Sequence, residues 1–241
     1  MTGTLINVAA LLAGALIGLG TRKEPDAATQ NAVKFVLGLF IVWTGLKIVW
    51  VSLDGTFWQM LGQFGLAALS LSLGHATGNL LKLQRGLNRL GQFAKEILTP
   101  QPGSGRTRPR PNDIFLACTI VFAANPLGFY GALLEGMRGH WEVLTIKAVL
   151  DGLSALAFAR SLGWTVLLAA FPVLAVQGTV TLLAQLAGHS LFTVPMTEAV
   201  GATGGLLVFS VALIVWNTRK VKLADYLPSF VYALLLAWWL R

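Results

Sequence analysis

Long apolar runs separated by short polar breaks make up nearly the whole chain. A helix crossing the hydrocarbon layer needs roughly 20 mostly apolar residues. Eight stretches meet that demand, at about 4–21, 32–52, 58–80, 114–134, 143–161, 164–187, 198–216 and 224–240. The first has no Lys or Arg before its apolar run, so it reads as a retained helix and not as a cleaved signal. Gaps between runs are short except at 82–113. There the segment 80–98 repeats Leu83, Leu87, Leu90 and Leu98 at helical spacing, which predicts an amphipathic helix lying along the membrane surface. The stretch 100–112 alternates Pro, Gly and Arg and reads as a linker. The expected fold is an all-α, polytopic membrane protein, with residues 1–241 as a single transmembrane domain and 82–113 as a basic loop within it.

Composition narrows the classes. Only 12% of residues are charged and 55% are hydrophobic, whereas soluble domains carry about a quarter charged residues. The mean hydropathy of +0.69 agrees. A water-soluble enzyme and a disordered chain are both excluded on these grounds. The net charge of +8 would suggest nucleic acid in a soluble protein, but in a membrane protein it reflects Lys and Arg gathered in cytoplasmic loops. With the 82–113 loop placed inside and eight alternating crossings, 14 of the 18 Lys and Arg fall inside. Lys47, Arg138, Lys147 and Arg241 fall towards the other side. Both termini are then expected on the outer side of the membrane. Most of the Trp residues, Trp50, Trp58 and Trp141 among them, sit near run ends, as interfacial anchors should. Cys118 stands alone, so no internal disulfide forms.

A shift of 167 positions lays the first three runs over the last three. It aligns Ala32 with Ala199, Val33 with Val200, Gly38 with Gly205, Leu39 with Leu206 and Leu46 with Leu213. Five crossings separate the partners, so the two halves would run in opposite senses, as in the inverted repeats of secondary transporters. Chance matching of two glycine-rich apolar helices is the alternative reading.

The most unusual residues lie outside that repeat. Lys147 and Asp151 are four apart and share a helix face. An ionisable group at mid-membrane costs roughly 2.5–3.5 kcal/mol on insertion scales. Lys147 is close enough to its boundary to snorkel outward, while Asp151 is too deep; the pair serves either function or a structural ion pair. The fourth run breaks at Asn125-Pro126-Leu127-Gly128, and Asn125 and Tyr130 stand beside freed carbonyls. Such a break must face protein or a water-filled cavity, and a simple proline kink is the alternative. Glu135 closes the run, as a gate residue or, the preferred reading, exposed at the outer surface. Gln177 follows Pro172 and needs a buried partner. Asn7 and His75 read as hydrogen-bonded packing residues. Gly14 with Gly18, and Gly74 with Gly78, have the small-xxx-small spacing of close helix contacts, which suits a homodimer as well.

No phosphate loop, zinc-type Cys/His cluster or G-x-S-x-G elbow occurs in the sequence. No enzyme activity, cofactor or nucleic-acid partner is expected, and a metal role is undetermined. The Arg106–Arg110 run is better matched to anionic lipid headgroups.

Several segments carry a resemblance. They are the opening Gly3-Thr4-Leu5-Ile6-Asn7 with its Gly14–Gly18 helix, and Gly131-Ala132-Leu133-Leu134-Glu135-Gly136. Lys147-x-x-x-Asp151-Gly152, Gln177-Gly178 and Gly204-Gly205-Leu206 complete the set. In these the chain resembles the YqgA/YdfK-like family of bacterial inner-membrane proteins, over nearly its whole length. The family is of unknown function and often labelled a transporter, so the resemblance implies location more than activity. The chain departs from it in having Gly78-Asn79 where an acidic residue follows the glycine, and in Asn125-Pro126. The leading expectation is a secondary transporter or channel for a small ion or solute. Asp151, Lys147, Asn125, Gln177, Tyr130 and Glu135 would form its binding residues. The alternative is a structural or regulatory membrane protein whose basic loop docks a partner or anionic lipid.

Overall fold

A computed structural model describes residues 1–21, 26–98 and 109–240. Every regular element among them is helical: α1 (Thr2–Gly20), α2 (Ala27–Val51), α3 (Phe57–Leu80), α4 (Leu83–Leu98), α5 (Pro111–Ala123), α6 (Pro126–Arg138), α7 (Glu142–Leu162), α8 (Ala170–Ser190), α9 (Val194–Val215) and α10 (Ser229–Trp239), with short 3-10 segments at Trp164–Ala169 and Leu223–Tyr226. The helix boundaries follow local chemistry. Asp26 caps α2 by accepting from the Thr29 backbone N–H. The tight junction after α7 is made by Gly163, whose φ of +86° is open to glycine at little cost. Asn125 caps α6, with Pro126 at the first helical position.

Among the described residues, four helical stretches are long and apolar enough to cross a membrane: Thr2–Gly20, Ala27–Val51, Trp164–Gly188 and Val194–Val215. The pair α5–α6, bent by 53°, makes a fifth if it is one span. The other three expected runs fall short on these criteria. Helix α3 is interrupted by Gln59, Gln63, His75 and Asn79, α7 carries Glu142, Lys147, Asp151 and Arg160, and the Leu223–Trp239 stretch is short. The amphipathic segment is helical as expected, with Ala94 buried and Arg85, Arg89 and Lys95 exposed. The expected linker falls mostly on 99–108, outside the described residues.

Glycines set the closest packing. Gly3 faces Leu144, Gly14 lies on the Gly152 carbonyl and Gly18 on that of Leu156, so α1 and α7 run parallel. Gly74 and Gly78 of α3 meet Ser229 and Asp225 in antiparallel register. Both small-residue motifs read from the sequence are therefore intramolecular contacts. Between α2 and α9 the contacts are reciprocal: Gly38 lies against Trp216 and Gly205 against Val49, antiparallel. Adding 167 to 38 gives 205, and adding it to 49 gives 216. Helices α6 and α8 run parallel, Gly128 facing Gln177 and Gly136 facing Thr181.

The α1–α7 contact leaves no room for a side chain: a Cβ on Gly14 would sit 2.1 Å from the Gly152 carbonyl oxygen. Gly14→Leu is expected to destabilise the protein by about 1–3 kcal/mol or more, as overpacking does. Gly62→Leu, on α3 where a Cβ meets nothing within 4 Å, should leave thermal unfolding in detergent nearly unchanged.

Candidate functional site

The break between α5 and α6 has a chemical consequence. Helix α5 stops at Ala123 and its last carbonyls lose their intrahelical donors. One of them, Phe122 O, accepts a hydrogen bond of 2.9 Å from Lys147 Nζ. The same ammonium forms an ion pair with Asp151 Oδ2 one turn along α7. A cation at a helix C-terminus is also favoured by the helix dipole. Lys147 is fully buried and Asp151 nearly so. Snorkelling is thus ruled out: Lys147 points inward to the break.

Beside this pair lies a second polar contact. Asn7 Nδ2 of α1 donates to Gln177 Oε1 of α8 at 3.0 Å, and the Asn7 side chain also interacts with the Asp151 carboxylate. Asn7 Oδ1 and Gln177 Nε2 have no hydrogen-bond partner among the described residues. Gly128, in the first turn of α6, separates the two groups. A Cβ there would lie 2.7 Å from Lys147 Cε and 3.0 Å from Gln177 Nε2. Four elements therefore converge on one buried point: α1 brings Asn7, the α5–α6 break a carbonyl and a glycine, α7 the ion pair, and α8 an amide.

Three sequence candidates stand elsewhere or play another part. The Asn125 side chain accepts from Leu127 N at 3.0 Å and so caps α6, while lining a groove described below. The buried Tyr130 hydroxyl donates to Leu223 O and its ring packs on Phe230 at 5.2 Å. It ties α6 to the start of the last helix and does not join the ion pair. Glu135 is buried, not exposed. Its carboxylate accepts from Gly3 N at 2.6 Å, Thr4 N at 3.3 Å and Thr4 Oγ1 at 3.2 Å, with Thr181 Oγ1 at 3.5 Å. The acid satisfies the first backbone donors of α1, where a carboxylate suits the dipole. The exposed reading failed because α6 runs on to Arg138 and α1 begins against it.

Sequence reasoning missed other groups. Asp225, buried, accepts from Gln84 N at 2.8 Å, and Gln84 Oε1 accepts from Ala224 N at 3.0 Å, so the amphipathic α4 is clasped to the Leu223–Tyr226 segment. His75 stacks on Tyr226 with ring centroids 4.6 Å apart, so it packs as expected, but its buried Nδ1 has no hydrogen-bond partner among the described residues, contrary to the hydrogen-bonded role read from the sequence. At the other end of the bundle, Lys47 pairs with Glu142 at 2.8 Å and Arg138 with Glu198 at 3.9 Å. Among the described residues no three His, Cys, Asp or Glu come together to hold a metal ion.

The deciding comparison is with families. A family model described as a protein of unknown function, DUF554, matches residues 2–238. The chain belongs to the DUF554 family. One relative, named an uncharacterized protein, YqgA, from Escherichia coli (strain K12), is 26% identical over 235 residues, 96% of this chain and 94% of its own. An uncharacterized membrane protein, YdfK, from Bacillus subtilis (strain 168), is 23% identical over 232 residues, 96% and 93% respectively. No solved structure matches this DUF554 chain.

Two predictions test these contacts. Glu135→Ala leaves buried donors of α1 unpaired and should cost about 1–3 kcal/mol, read as a lower melting temperature, with Glu135→Gln intermediate. His140 lies in the turn between α6 and α7, and burial pushes its imidazole below the ordinary value; Arg138 and Lys47 push the same way against Glu142. The unfolded chain then takes up a proton first as pH falls through about 6.5. Stability is therefore expected to fall as pH drops through about 6.5, and His140→Gln should flatten that slope.

Proposed function

We propose that this DUF554 protein is a secondary transporter or channel for a small ion or solute, with its binding point at the α5–α6 break. The observation that carries the reading is the fully buried Lys147 ammonium held between Asp151 and a freed helix carbonyl. A carboxylate and a carbonyl are the oxygen ligands a cation would use, and the ammonium occupies the place between them. A proton or cation arriving at Asp151 would compete with Lys147, which swings to Phe122 O and its neighbours. Asn7 and Gln177 supply polar contacts on the α1–α8 side.

The setting we infer is a bacterial inner membrane crossed eight times, both termini outside. The Lys47–Glu142 and Arg138–Glu198 pairs join residues that the alternating topology puts on one side. The parallel and antiparallel helix pairs follow the same alternation. The reciprocal Gly38–Trp216 and Gly205–Val49 contacts support an inverted repeat of the first three spans and the last three. Exposed Arg85, Arg89 and Lys95 on α4 suit anionic headgroups at the inner surface. Apolar faces such as that of Phe57, Trp58 and Leu61 stay open, which suits lipid contact or a homodimer.

One observation favours a second reading, a static structural pair. Lys147 already has two good partners and no exposure. A buried ion pair is often replaceable by apolar residues of similar volume without loss of stability. Flux assays in proteoliposomes, over ions and small metabolites, separate the two. The transport reading expects Asp151→Asn, and the double change Lys147→Met with Asp151→Leu, to abolish flux in folded, inserted protein. Wild-type flux in the folded double variant would make the ion pair static, and no flux from the wild type with any solute tested would remove the transport reading.

A further inference from the structure

Glycine contacts hold α1, α3 and α9 hard against their neighbours, but α4 is packed differently. A Cβ on its Gly86 or Gly91 would meet nothing within 4 Å, and of the α4 residues only Ala94 is buried. Leu81 and Lys82 alone join it to α3, and Lys82 turns the chain with a φ of +56°, a conformation uncommon outside glycine. The start of α4 is fixed by Gln84. Its backbone N–H donates to Asp225 Oδ1 at 2.8 Å, and its Oε1 accepts from Ala224 N at 3.0 Å.

Two cavities lie against this helix. An open groove of about 890 Å³ runs along α6, walled by α4, α8 and α10, and a second of about 550 Å³ separates α4 from the end of α5. Both are lined by Leu87, Ala124, Asn125 and Pro126, so Leu87 and the α5–α6 break form the partition between them. Protein interiors are normally packed without such spaces. Helix α4 therefore lies over the break without filling what is beneath it.

The latch sits on a segment that also holds the break. The Tyr130 hydroxyl, one turn after Pro126, donates to Leu223 O, next to Ala224. The same segment is anchored to α3, where Gly78 lies on the Asp225 carbonyl and His75 stacks on Tyr226. Of the helices it joins, α4 is the one with least buried surface to keep it in place.

We propose that α4 is a movable cover over the α5–α6 break, hinged at Leu81–Lys82 and latched to Leu223–Tyr226 by Gln84. When the latch opens, Leu87 withdraws, the two cavities join and the break meets water from the α4 side. The leucine face then turns to lipid, with exposed Arg85, Arg89 and Lys95 still at the headgroups, as an interfacial helix allows. Because Tyr130 and Gln84 hold one segment, a shift of α6 at the break loosens the latch. This rests on the transport reading, for which α4 is one of the two gates of alternating access.

Thiol labelling in nanodiscs, where both membrane faces meet a hydrophilic maleimide, tests the cover. Ala123→Cys, which lines the groove at the break, is the reporter in a Cys118→Ala background. Gln84→Ala and Asp225→Asn should each speed its labelling about tenfold, the ratio given by roughly 1.4 kcal/mol of lost hydrogen bonding. The buried native Cys118, kept in a parallel set of the same variants, should stay unlabelled. A bismaleimide bridging Gly91→Cys to Val121→Cys, which line one cavity, should abolish flux. The proposal is overturned if neither latch variant changes the rate, if Cys118 reacts in step with the reporter, or if the bridged protein still transports. Faster labelling in a protein with no flux for any solute would sink the transport reading and keep the cover. Asp151-dependent flux, with labelling indifferent to Gln84 and Asp225, would do the reverse.

Discussion

A helix that stops inside an apolar bundle leaves carbonyl groups that lipid cannot satisfy, and much of this structure is arranged around that constraint. Asn125-Pro126 ends α5 and starts α6, and the freed Phe122 carbonyl is met by Lys147. A lysine carried that deep needs a counter-charge, and one turn along α7 Asp151 supplies it. The ion pair in turn needs α7 held at a fixed depth. The parallel glycine contacts between α1 and α7 provide that register, and they place Asn7 at the same point. Without Gly14 on Gly152 the helices would separate by the width of a side chain, and the Asn7–Gln177 bond would have nothing to span.

The same logic repeats at the ends of the helices. The first donors of α1 are satisfied by a carboxylate from α6, and the start of α4 by Asp225. Each acid sits at a helix N-terminus, where backbone N–H groups and the dipole favour an anion. This is an economical use of charge in a chain with only 10 Asp and Glu. Glu135 and Asp151 both face inward from adjacent helices, yet they have different tasks. One closes a helix end; the other balances a cation at a break.

Much of this was legible in the sequence wherever the signal was local. Apolar runs located the helices, Asn125-Pro126 located the break, and the four-residue spacing put Lys147 and Asp151 on one face. Glycine spacing announced the close contacts at Gly14, Gly18, Gly74 and Gly78. Relations between distant helices were not legible. Asn7 and Gln177 are 170 positions apart, and nothing in the composition of either helix names the other. Tyr130 stood one turn from the break and so looked like part of the site, but its face of α6 turns to Leu223. Glu135 looked terminal because depth was counted from the end of an apolar run, whereas depth is set by which helix ends abut. Asp225 gave no signal, since an acid at the edge of a run reads as a boundary residue until its partner on α4 is seen.

Why, then, should an ion pair already satisfied be more than scaffolding? The unequal treatment of the groups around it bears on this. Lys147 has two partners and Asp151 has Lys147 and Asn7, but the buried Gln177 N–H has no acceptor among the described residues. A purely structural core would have no use for that donor, because replacing it by an apolar group of similar shape removes the desolvation cost. Its position argues the other way. Gln177 Nε2 lies beside Gly128 and the Lys147 stem, and it and Asn7 Oδ1 are two polar atoms of the cluster left unmet among the described residues, so the polar surplus sits on the α1–α8 side of the ion pair.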